Sequence, residues 1–409
     1  MSDNAPMERA LPAPSPLAGL WDIDPGIVFL NHGSFGATPR SVLGEQARFR
    51  ALLESEPVAF FERRYQQALD AARSALAGFV GADPESLVFV TNATTGVNTV
   101  LRSLDLRPGD ELLTTDHEYN ACRNALEAVA AAAGAVVEVV ELPFPLHSPD
   151  EVLDRVLERV TSRTRLLLVD HVTSQTALVL PIEALVREVQ GCGVDVLVDG
   201  AHAPGMIGLD LGALGAAYYT GNCHKWMCAP KGAAFLAVRE DLRSSVRPLV
   251  ISHGANAPAG ERSRFHLEHD WTGTRDPSAW LSVPAALEAM AAMTEGGLPE
   301  VRRRNHELAL EGRRELVQAL GVDAPCPEAM VGSMASLPLP DAAEGRAAAA
   351  GARDPVQDAL YREWSIEVPV ISWPAPPQRL LRLSAQLYNS REQMAYLAEA
   401  LLEVLSKPS

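Results

Sequence analysis

The sequence predicts an α/β protein with a large three-layer domain around a mostly parallel sheet and a smaller α+β domain at the C-terminus. Between about residues 87 and 238, short apolar runs alternate with helical stretches, the rhythm of strand, helix and parallel strand. These runs are apolar at nearly every position, as strands covered by helices on both faces require. After about residue 285 a long helical stretch and isolated short strands replace this rhythm, which marks the smaller domain.

The elements of the large domain follow from these runs. Strands are predicted at 87–91, 111–114, 166–172, 195–201, 216–221 and 233–238. Helices are predicted at 95–103 and 120–133, and at 181–190, where Pro181 suits the first helical turn. A turn at 230–232 separates the last two strands.

The smaller domain is less regular. We expect a helix at 287–320, a strand at 330–337, an apolar segment at 365–371, a strand at 380–383 and a closing helix at 390–405. The Ala- and Gly-rich stretch 341–354 is typical of a mobile loop. The predicted organisation is a disordered leader at 1–20 and a segment at 21–54 that belongs to the small domain. The large domain follows at 55–285 and the small domain at 286–409.

Composition and charge narrow the class of protein. The chain has 409 residues, 47% of them hydrophobic, which excludes wholesale disorder. Its 35 Lys and Arg against 52 Asp and Glu give a net charge of -17, so nucleic acid is not an expected partner. No apolar run is long and uncharged enough to span a membrane, and 1–20 lacks the apolar core of a secretory signal. Five scattered cysteines without a CxxC pair indicate a reduced, cytoplasmic setting and no metal site.

Four predicted strands end in polar residues, at 91–96, 171–174, 199–202 and 220–225. Ligands of parallel α/β sheets bind beyond the carboxyl ends of the strands, so these residues are the first candidates for a site. Lys225 is one of only three lysines, and a desolvated lysine amine has a lowered pKa and can bond covalently to an aldehyde cofactor. Asp199 would be costly to bury unless a cation such as a protonated pyridine nitrogen faced it. Taken singly, a salt bridge would explain Lys225 and a turn cap would explain Asp199.

The stretch Thr94-Thr95-Gly96 lies where a strand turns into a helix. Free backbone N–H groups and the helix dipole favour a phosphate there, although ordinary N-capping explains the same residues. Together with the amine and the carboxylate, the stretch describes pyridoxal phosphate at three points. A nucleotide-binding protein that uses this turn as its phosphate loop is the alternative, disfavoured because neither GxxxxGK[ST] nor GxGxxG accompanies it.

Six motifs carry a resemblance to a known family: LNHGSFGATP (30–39), TNATTGVN (91–98), VDGAHAPG (198–205), TGNCHKW (220–226), GTRDPSA (273–279) and RLSAQLYN (382–389). With them the chain resembles the class V aminotransferases of pyridoxal phosphate fold type I, the aspartate aminotransferase-like fold. The branch that it resembles most is the isopenicillin N epimerase-like one. The resemblance covers most of the sequence, from about Asn31 to the last predicted helix.

The resemblance implies a role for several residues around the cofactor. Lys225 would bond it covalently, Asp199 would pair with the pyridine nitrogen, and His202 would lie near the ring hydroxyl. Ser174 would hydrogen-bond the ring oxygen. The residues implied for the phosphate are Thr94, Thr95, Thr220 and His224 of one subunit and Thr274 of another. The last contribution implies a homodimer with the site at its interface.

The resemblance also implies how an amino-acid substrate would be held. Arg382 would grip its carboxylate, for which a guanidinium fork is suited. Asn31 and His32 would line the substrate mouth. His117 or Tyr119 would stack on the cofactor ring and serve as a second catalytic acid, and the sequence leaves both open.

The expected chemistry begins with removal of the Cα proton of an amino acid by the Lys225 amine. Reprotonation on the opposite face would make the protein an epimerase of the amino-acid part of a small metabolite, as in antibiotic biosynthesis. Loss of a β-sulfur substituent would make it a C–S lyase, and transamination and oxidative deamination are further outcomes. A cysteine desulfurase is not expected, because residues 355–390 contain no cysteine and Cys223 and Cys228 suit buried packing.

Overall fold

A computed structural model describes residues 10–258, 260, 262–342 and 353–407. Within them the strands are β1 (Val28–Phe29), β2 (Leu87–Val90), β3 (Glu111–Thr115), β4 (Val136–Val140), β5 (Thr164–Asp170), β6 (Asp195–Gly200), β7 (Tyr218–Asn222), β8 (Ala234–Val238), β9 (Met334–Leu339), β10 (Ile366–Glu367), β11 (Val370–Ser372) and β12 (Arg379–Ser384).

The helices of the same residues are α1 (His32–Phe35), α2 (Arg40–Ser55), α3 (Pro57–Ala59), α4 (Tyr65–Val80), α5 (Ala93–Leu101), α6 (Asn120–Ala133), α7 (Pro149–Leu157), α8 (Ile182–Gly191), α9 (Leu211–Leu214), α10 (Arg264–Asp270), α11 (Ser278–Leu281), α12 (Val283–Ala292), α13 (Gly297–Leu320), α14 (Pro355–Trp364) and α15 (Arg391–Ser406). A π-helical turn, Phe60–Arg64, joins α3 to α4. No described helix is long and apolar enough to cross a membrane.

Seven strands form the central sheet in the order β2-β8-β7-β6-β5-β3-β4. All pairs are parallel except the two that β8 makes, with β2 and β7. Along β5, Leu166 and Leu168 join one apolar cluster with α5 and α6, while Leu167 and Val169 join another with α4, α7 and α8. Both faces of the sheet are therefore covered, which explains the uninterrupted apolar runs and confirms the three-layer α/β fold.

A second, antiparallel sheet has the order β11-β12-β9, with α13 against β9 and α15 against α13. It confirms the smaller α+β unit near the C-terminus. The two-residue strand β1 pairs in parallel with β10, so the segment after residue 20 is bound to this unit.

Some expectations for the chain ends and the second half were wrong. Residues 10–20 are ordered: Pro16–Leu20 forms a 3-10 turn, the Ser15 N–H donates to the Tyr388 carbonyl, and Leu11 packs on the core. Residues 1–9 lie outside the described part. The predicted helix 287–320 is two helices, because the chain turns at 293–296 and Gly297 has a φ of 61°.

The predicted mobile loop 341–354 falls mostly on 343–352, outside the described residues. Its last residue is not mobile: the Asp354 side chain is 3% exposed and pairs with Arg379 at 2.9 Å. It also caps α14 by accepting from the Val356 N–H. The strand expected at 330–337 runs instead over Met334–Leu339, and the apolar segment 365–371 contains the short strands β10 and β11.

Candidate active site

The carboxyl edge of the central sheet brings the predicted strand-end residues together. In the strand register Asp170 lies beside Asp199, and Asp199 lies beside Thr220. Lys225 follows three residues after β7 ends. Parallel pairing produces this arrangement because neighbouring strands that run the same way end at the same edge.

The Lys225 amine is enclosed at this edge. Its Nζ lies 3.0 Å from Nε2 of His202. Burial, helped by the positive charge of Arg382, lowers the pKa of Lys225 to about 8, against the opposing pull of the Asp199 and Asp170 carboxyls. The indole N–H of Trp226 donates to Nδ1 of His202, so the His202 proton belongs on Nε2, facing the amine. Burial and the nearby lysine hold the pKa of His202 well below its usual range. The amine is therefore poised between its charged and nucleophilic forms near neutral pH.

Asp199 is held as an acceptor. The side chain is 1% exposed, its Oδ1 accepts from the Ala201 N–H at 2.9 Å, and its Oδ2 accepts from the Cys122 thiol at 3.0 Å. Burial raises its pKa, against these two hydrogen bonds. A cationic group beside this carboxylate would offset its desolvation, as the sequence argument requires.

The other end of the site is the start of α5. Asn92 caps the helix, with Oδ1 accepting from the Thr95 N–H at 2.8 Å and from the Thr95 hydroxyl at 3.0 Å. Thr95 thus serves the cap, as the alternative interpretation of this turn expects. The Thr94 side chain is half-buried, and among the described residues its hydroxyl has no hydrogen-bond partner.

Thr220 does not join this site, contrary to expectation. Its hydroxyl is buried between the sheet and α5, where it donates to the Phe235 carbonyl at 2.8 Å. The helix approaches so closely that a Cβ on Gly96 would lie 2.1 Å from Thr220 Oγ1. Asn222, which the sequence argument missed, lies at the end of β7 instead, and its Oδ1 accepts from the Ala93 N–H at 2.9 Å. Its position as the last residue of the strand, nearer the edge than Thr220, was the available signal.

His224 also lies at this end. Its Nδ1 donates to the Ala233 carbonyl at 3.0 Å, which leaves Nε2 for another partner. Burial lowers the pKa of His224 to about 4, so the imidazole is neutral. Thr274 is exposed and lies apart from the residues described above.

Arg382 provides a buried cation on β12. Its Nη1 donates to the Ser174 carbonyl at 2.6 Å and contacts the Ser174 hydroxyl at 3.3 Å, and its Nη2 donates to the Ser34 hydroxyl at 2.9 Å. Asn31 Oδ1 lies 3.4 Å from Nη2, while the Asn31 amide donates to Glu367. No carboxylate of the described residues pairs with Arg382, and its Nε has no partner. Burial lowers its pKa to about 10, which leaves it charged and suited to bind an anion.

His117 and Tyr119, which the sequence could not separate, lie in different surroundings. The His117 ring is fully buried, with Nδ1 2.8 Å from the Thr176 hydroxyl and Nε2 3.4 Å from the Leu142 carbonyl. The Trp373 ring packs on it at a centroid distance of 4.6 Å. Tyr119 is 43% exposed and lies close enough to Arg382 to act on its pKa. Tyr119 is therefore the more accessible of the two, whereas His117 is enclosed like Asp199, His202 and Arg382.

The expectation that His32 lines the substrate mouth was wrong. The ring is fully buried, with Nδ1 2.9 Å from the Tyr388 hydroxyl and Nε2 3.0 Å from the Lys225 carbonyl. Both nitrogens are thus occupied, and burial lowers the pKa of His32 to about 3. His32 supports the backbone of Lys225 and does not line the substrate mouth.

The family model described as Aminotransferase class-V matches residues 37–343. The chain belongs to this family. It is 39% identical over 398 residues to an isopenicillin N epimerase of Amycolatopsis lactamdurans, which covers 93% of this chain and 96% of that protein. It is 32% identical over 421 residues to a putative L-cysteine desulfhydrase of Oryza sativa subsp. japonica, with 94% and 85% covered.

Among solved structures, the chain is similar to a mutant of the C–S lyase C-DES with glycine covalently linked to its pyridoxal phosphate, at a TM-score of 0.77 and 23% identity. The match covers 92% of this chain and 96% of that one. This likeness confirms the fold. Membership of the class V aminotransferases confirms the expected kind of enzyme and its cofactor, pyridoxal phosphate.

The residues present fit that cofactor. The chain offers an enclosed amine, a buried carboxylate across the sheet edge, and a helix start where the Thr94 hydroxyl has no partner in the described part of the chain. The cysteines agree with the expectation of buried packing: Cys223 and Cys228 are both 0% exposed, and burial raises the pKa of each thiol. The β11–β12 turn that precedes Arg382 contains no cysteine.

Proposed function

We propose that this class V enzyme removes the Cα proton of the amino-acid part of a small metabolite and returns a proton on the opposite face, as an isopenicillin N epimerase-like enzyme. The observation that supports this best is the enclosed Lys225 amine together with a buried guanidinium, Arg382, whose charge lowers the pKa of Lys225 and which has no carboxylate partner among the described residues. The identity to isopenicillin N epimerases, 39% in the case above, favours this reaction.

In this proposal the residues of the site divide the work. Arg382, with Asn31 beside it, binds the substrate carboxylate and so places Cα near the Lys225 amine. Lys225 takes the Cα proton as general base, for which a pKa of about 8 is well matched to neutral pH. When bound, pyridoxal phosphate withdraws electrons from the carbon that loses its proton. Tyr119, which lies near Arg382, delivers the second proton.

The cofactor would be held at both ends. Asp199 would pair with the pyridine nitrogen, and His202 and Ser174 would hold the ring oxygen. Thr94, Thr95, His224 and the newly found Asn222 would surround the phosphate at the start of α5. In this arrangement a buried carboxylate would face the positively charged pyridine nitrogen, and a helix N-terminus would face the negatively charged phosphate.

We also propose a homodimer in which Thr274 of the partner subunit completes the phosphate site. Leu249, Val250 and Ile251 form an exposed apolar run, 44%, 56% and 63% exposed, of the kind that a subunit interface covers. Within each subunit, residues 21–54 and 286–409 would form a small domain beside a large one at 55–285. The five free cysteines suit a reduced, cytoplasmic setting.

A C–S lyase acting on a cysteine S-conjugate is the second candidate. Relatives named as L-cysteine desulfhydrases, 32% identical in the case above, favour it. Both reactions begin with the same proton transfer to Lys225. They differ in the next step: an epimerase returns a proton to Cα, whereas a lyase expels the β-sulfur substituent.

Incubation of the enzyme in heavy water separates the candidates. An epimerase labels Cα of amino-acid and peptide substrates with deuterium and inverts its configuration, and the rest of the molecule stays intact. A lyase instead releases a 2-oxo acid and ammonia. Lys225→Ala should abolish either reaction, and Lys231→Ala is the matched control because Lys231 is exposed. Keto-acid release without inversion would refute the epimerase proposal, and full activity of Lys225→Ala would refute both.

A further inference from the structure

Three buried carboxyl groups lie together under the sheet edge. Glu118, Asp170 and Asp199 are 5%, 2% and 1% exposed. Asp170 and Asp199 are register neighbours on β5 and β6, and oxygens of Glu118 and Asp199 lie within 4.8 Å of each other and of the Cys122 sulfur. Negative charge on all three at this distance would be strongly unfavourable in a medium of low dielectric constant.

The three carboxyls differ in their hydrogen bonds. Both oxygens of Asp199 accept a donor, from Ala201 and from Cys122. In contrast, both oxygens of Glu118 and Oδ2 of Asp170 are buried with no partner of good hydrogen-bond geometry among the described residues, although the nearby Tyr119 N–H opposes the rise in pKa of both carboxyls. A buried carboxylate that is ionised and has no hydrogen-bond donors is especially costly. Asp199, which has two donors, is therefore the carboxyl that loses its proton most easily.

The positive charges near the cluster are too few to neutralise it. Lys225 faces Asp199 and Asp170 from the end of β7. Arg123, the cation nearest to Glu118 on α6, donates to Glu127 at 2.8 Å and is 28% exposed. The enclosed amine therefore acts on Asp199 and Asp170, and Glu118 has only the partly exposed, already paired Arg123 to offset a negative charge.

We propose that Glu118 keeps its proton at neutral pH and donates it in a hydrogen bond to Asp199, so that of these two carboxyls Asp199 carries the negative charge opposite the pyridine nitrogen. The proposal requires the Glu118 carboxyl, which has an oxygen within 4.8 Å of an Asp199 oxygen, to turn toward Asp199. Glu118 is then a positioning residue, because it acts on the cofactor only through Asp199. Burial, with the Asp170 and Asp199 charges, raises the pKa of Glu118 well above its usual range, in agreement with this assignment.

The inference rests on the proposed function, since it assumes a pyridine nitrogen at Asp199. The same cluster of Glu118, Cys122 and Asp199 has the donor atoms of a cation site. The proton is favoured because Cys122 donates to Asp199 as a thiol and its burial raises its pKa, whereas a metal requires the thiolate.

The test compares Glu118→Gln, which keeps the shape and a donor but cannot ionise, with Glu118→Ala, which removes the donor. The matched control is Glu288→Gln, at an exposed position on α12. The first readout is the free energy of unfolding of the apoprotein in urea from pH 5 to pH 9. Wild type should lose stability as pH rises above the ordinary glutamate range, because the unfolded chain releases a proton that the folded one retains. Glu118→Gln should show a flatter profile and exceed wild type at pH 8, while Glu288→Gln should follow wild type.

The second readout is the affinity for pyridoxal phosphate at pH 7.5. We expect Glu118→Gln to bind within about threefold of wild type, and Glu118→Ala to bind at least about tenfold more weakly for loss of a charge-assisted hydrogen bond. The third is the infrared carbonyl band of protonated carboxylic acids in wild type, which Glu118→Gln should weaken.

Three results would overturn the inference: a Glu118→Gln variant with the pH profile of wild type, one that fails to fold or binds cofactor as poorly as Glu118→Ala, or one with an unchanged infrared band. If a chelator alters the stability of the wild type, the cluster binds a metal ion and the proton assignment is wrong. If wild type binds no pyridoxal phosphate, the proposed function fails, while the pH profile and the infrared band still decide the state of Glu118.

Discussion

The lowered pKa of Lys225 gives a quantitative prediction for how the apoenzyme takes up its cofactor. Only the neutral amine attacks the aldehyde of pyridoxal phosphate, so the rate of uptake follows the neutral fraction. With a pKa of about 8, that fraction is about 9% at pH 7 and about 91% at pH 9. The observed rate should therefore rise about tenfold between these pH values and then level off.

An ordinary lysine behaves differently over the same range. With a pKa near 10.5, its neutral fraction rises about a hundredfold between pH 7 and pH 9, with no plateau. Stopped-flow absorbance of apoenzyme mixed with excess pyridoxal phosphate measures the rate. A blocked lysine derivative under the same conditions corrects for the titration of the cofactor itself.

Arg382→Met provides the matched perturbation. Because the Arg382 charge lowers the pKa of Lys225, its removal should move the plateau to higher pH. A wild-type rate that still climbs tenfold per pH unit above pH 9 would refute the argument that enclosure activates Lys225. An unchanged profile in Arg382→Met would show that desolvation alone sets the pKa.

Three further predictions concern binding and stability. Arg382→Lys should raise KM for the substrate about 10- to 100-fold with a smaller change in kcat, because an ammonium cannot form the paired hydrogen bonds of a guanidinium; a fall in kcat alone would contradict this. Gly96→Ala should lower the free energy of unfolding in urea by about 1–3 kcal/mol, because its Cβ would clash with Thr220, and the control Gly191→Ala, which meets nothing within 4 Å, should change it less. Asp354→Ala should cost about 3–5 kcal/mol, because the Arg379 guanidinium, only 10% exposed, would lose its carboxylate partner. Asp22→Ala, which breaks an exposed pair with Arg40, should cost under about 1 kcal/mol, and equal losses would contradict the role of burial.

Local sequence determined most of the large domain. The predicted strand at 195–201 and the observed Asp195–Gly200 differ by one residue, because a run of buried aliphatic residues between polar turns has few alternatives. The long helix was predicted as one piece because the break at 293–296 hardly disturbs the helical spacing of apolar residues. In the structure the turn there is stabilised by a hydrogen bond from the Thr294 hydroxyl to the Gly297 carbonyl. The order of residues 10–20 was missed because their partners, such as Tyr388, lie far along the chain.

The sequence by itself determined which chemical groups are available: one lysine and one aspartate at strand ends, a threonine turn before a helix, and an arginine near the C-terminus. The tertiary structure alone decided which of them face the same space. Strand pairing turned Thr220 into the core and left Asn222 at the edge, and packing of the N-terminal turn enclosed His32 behind Lys225. The physical reason is that the direction and burial of a side chain depend on contacts between segments distant in sequence, which also create the three-carboxyl cluster around Glu118.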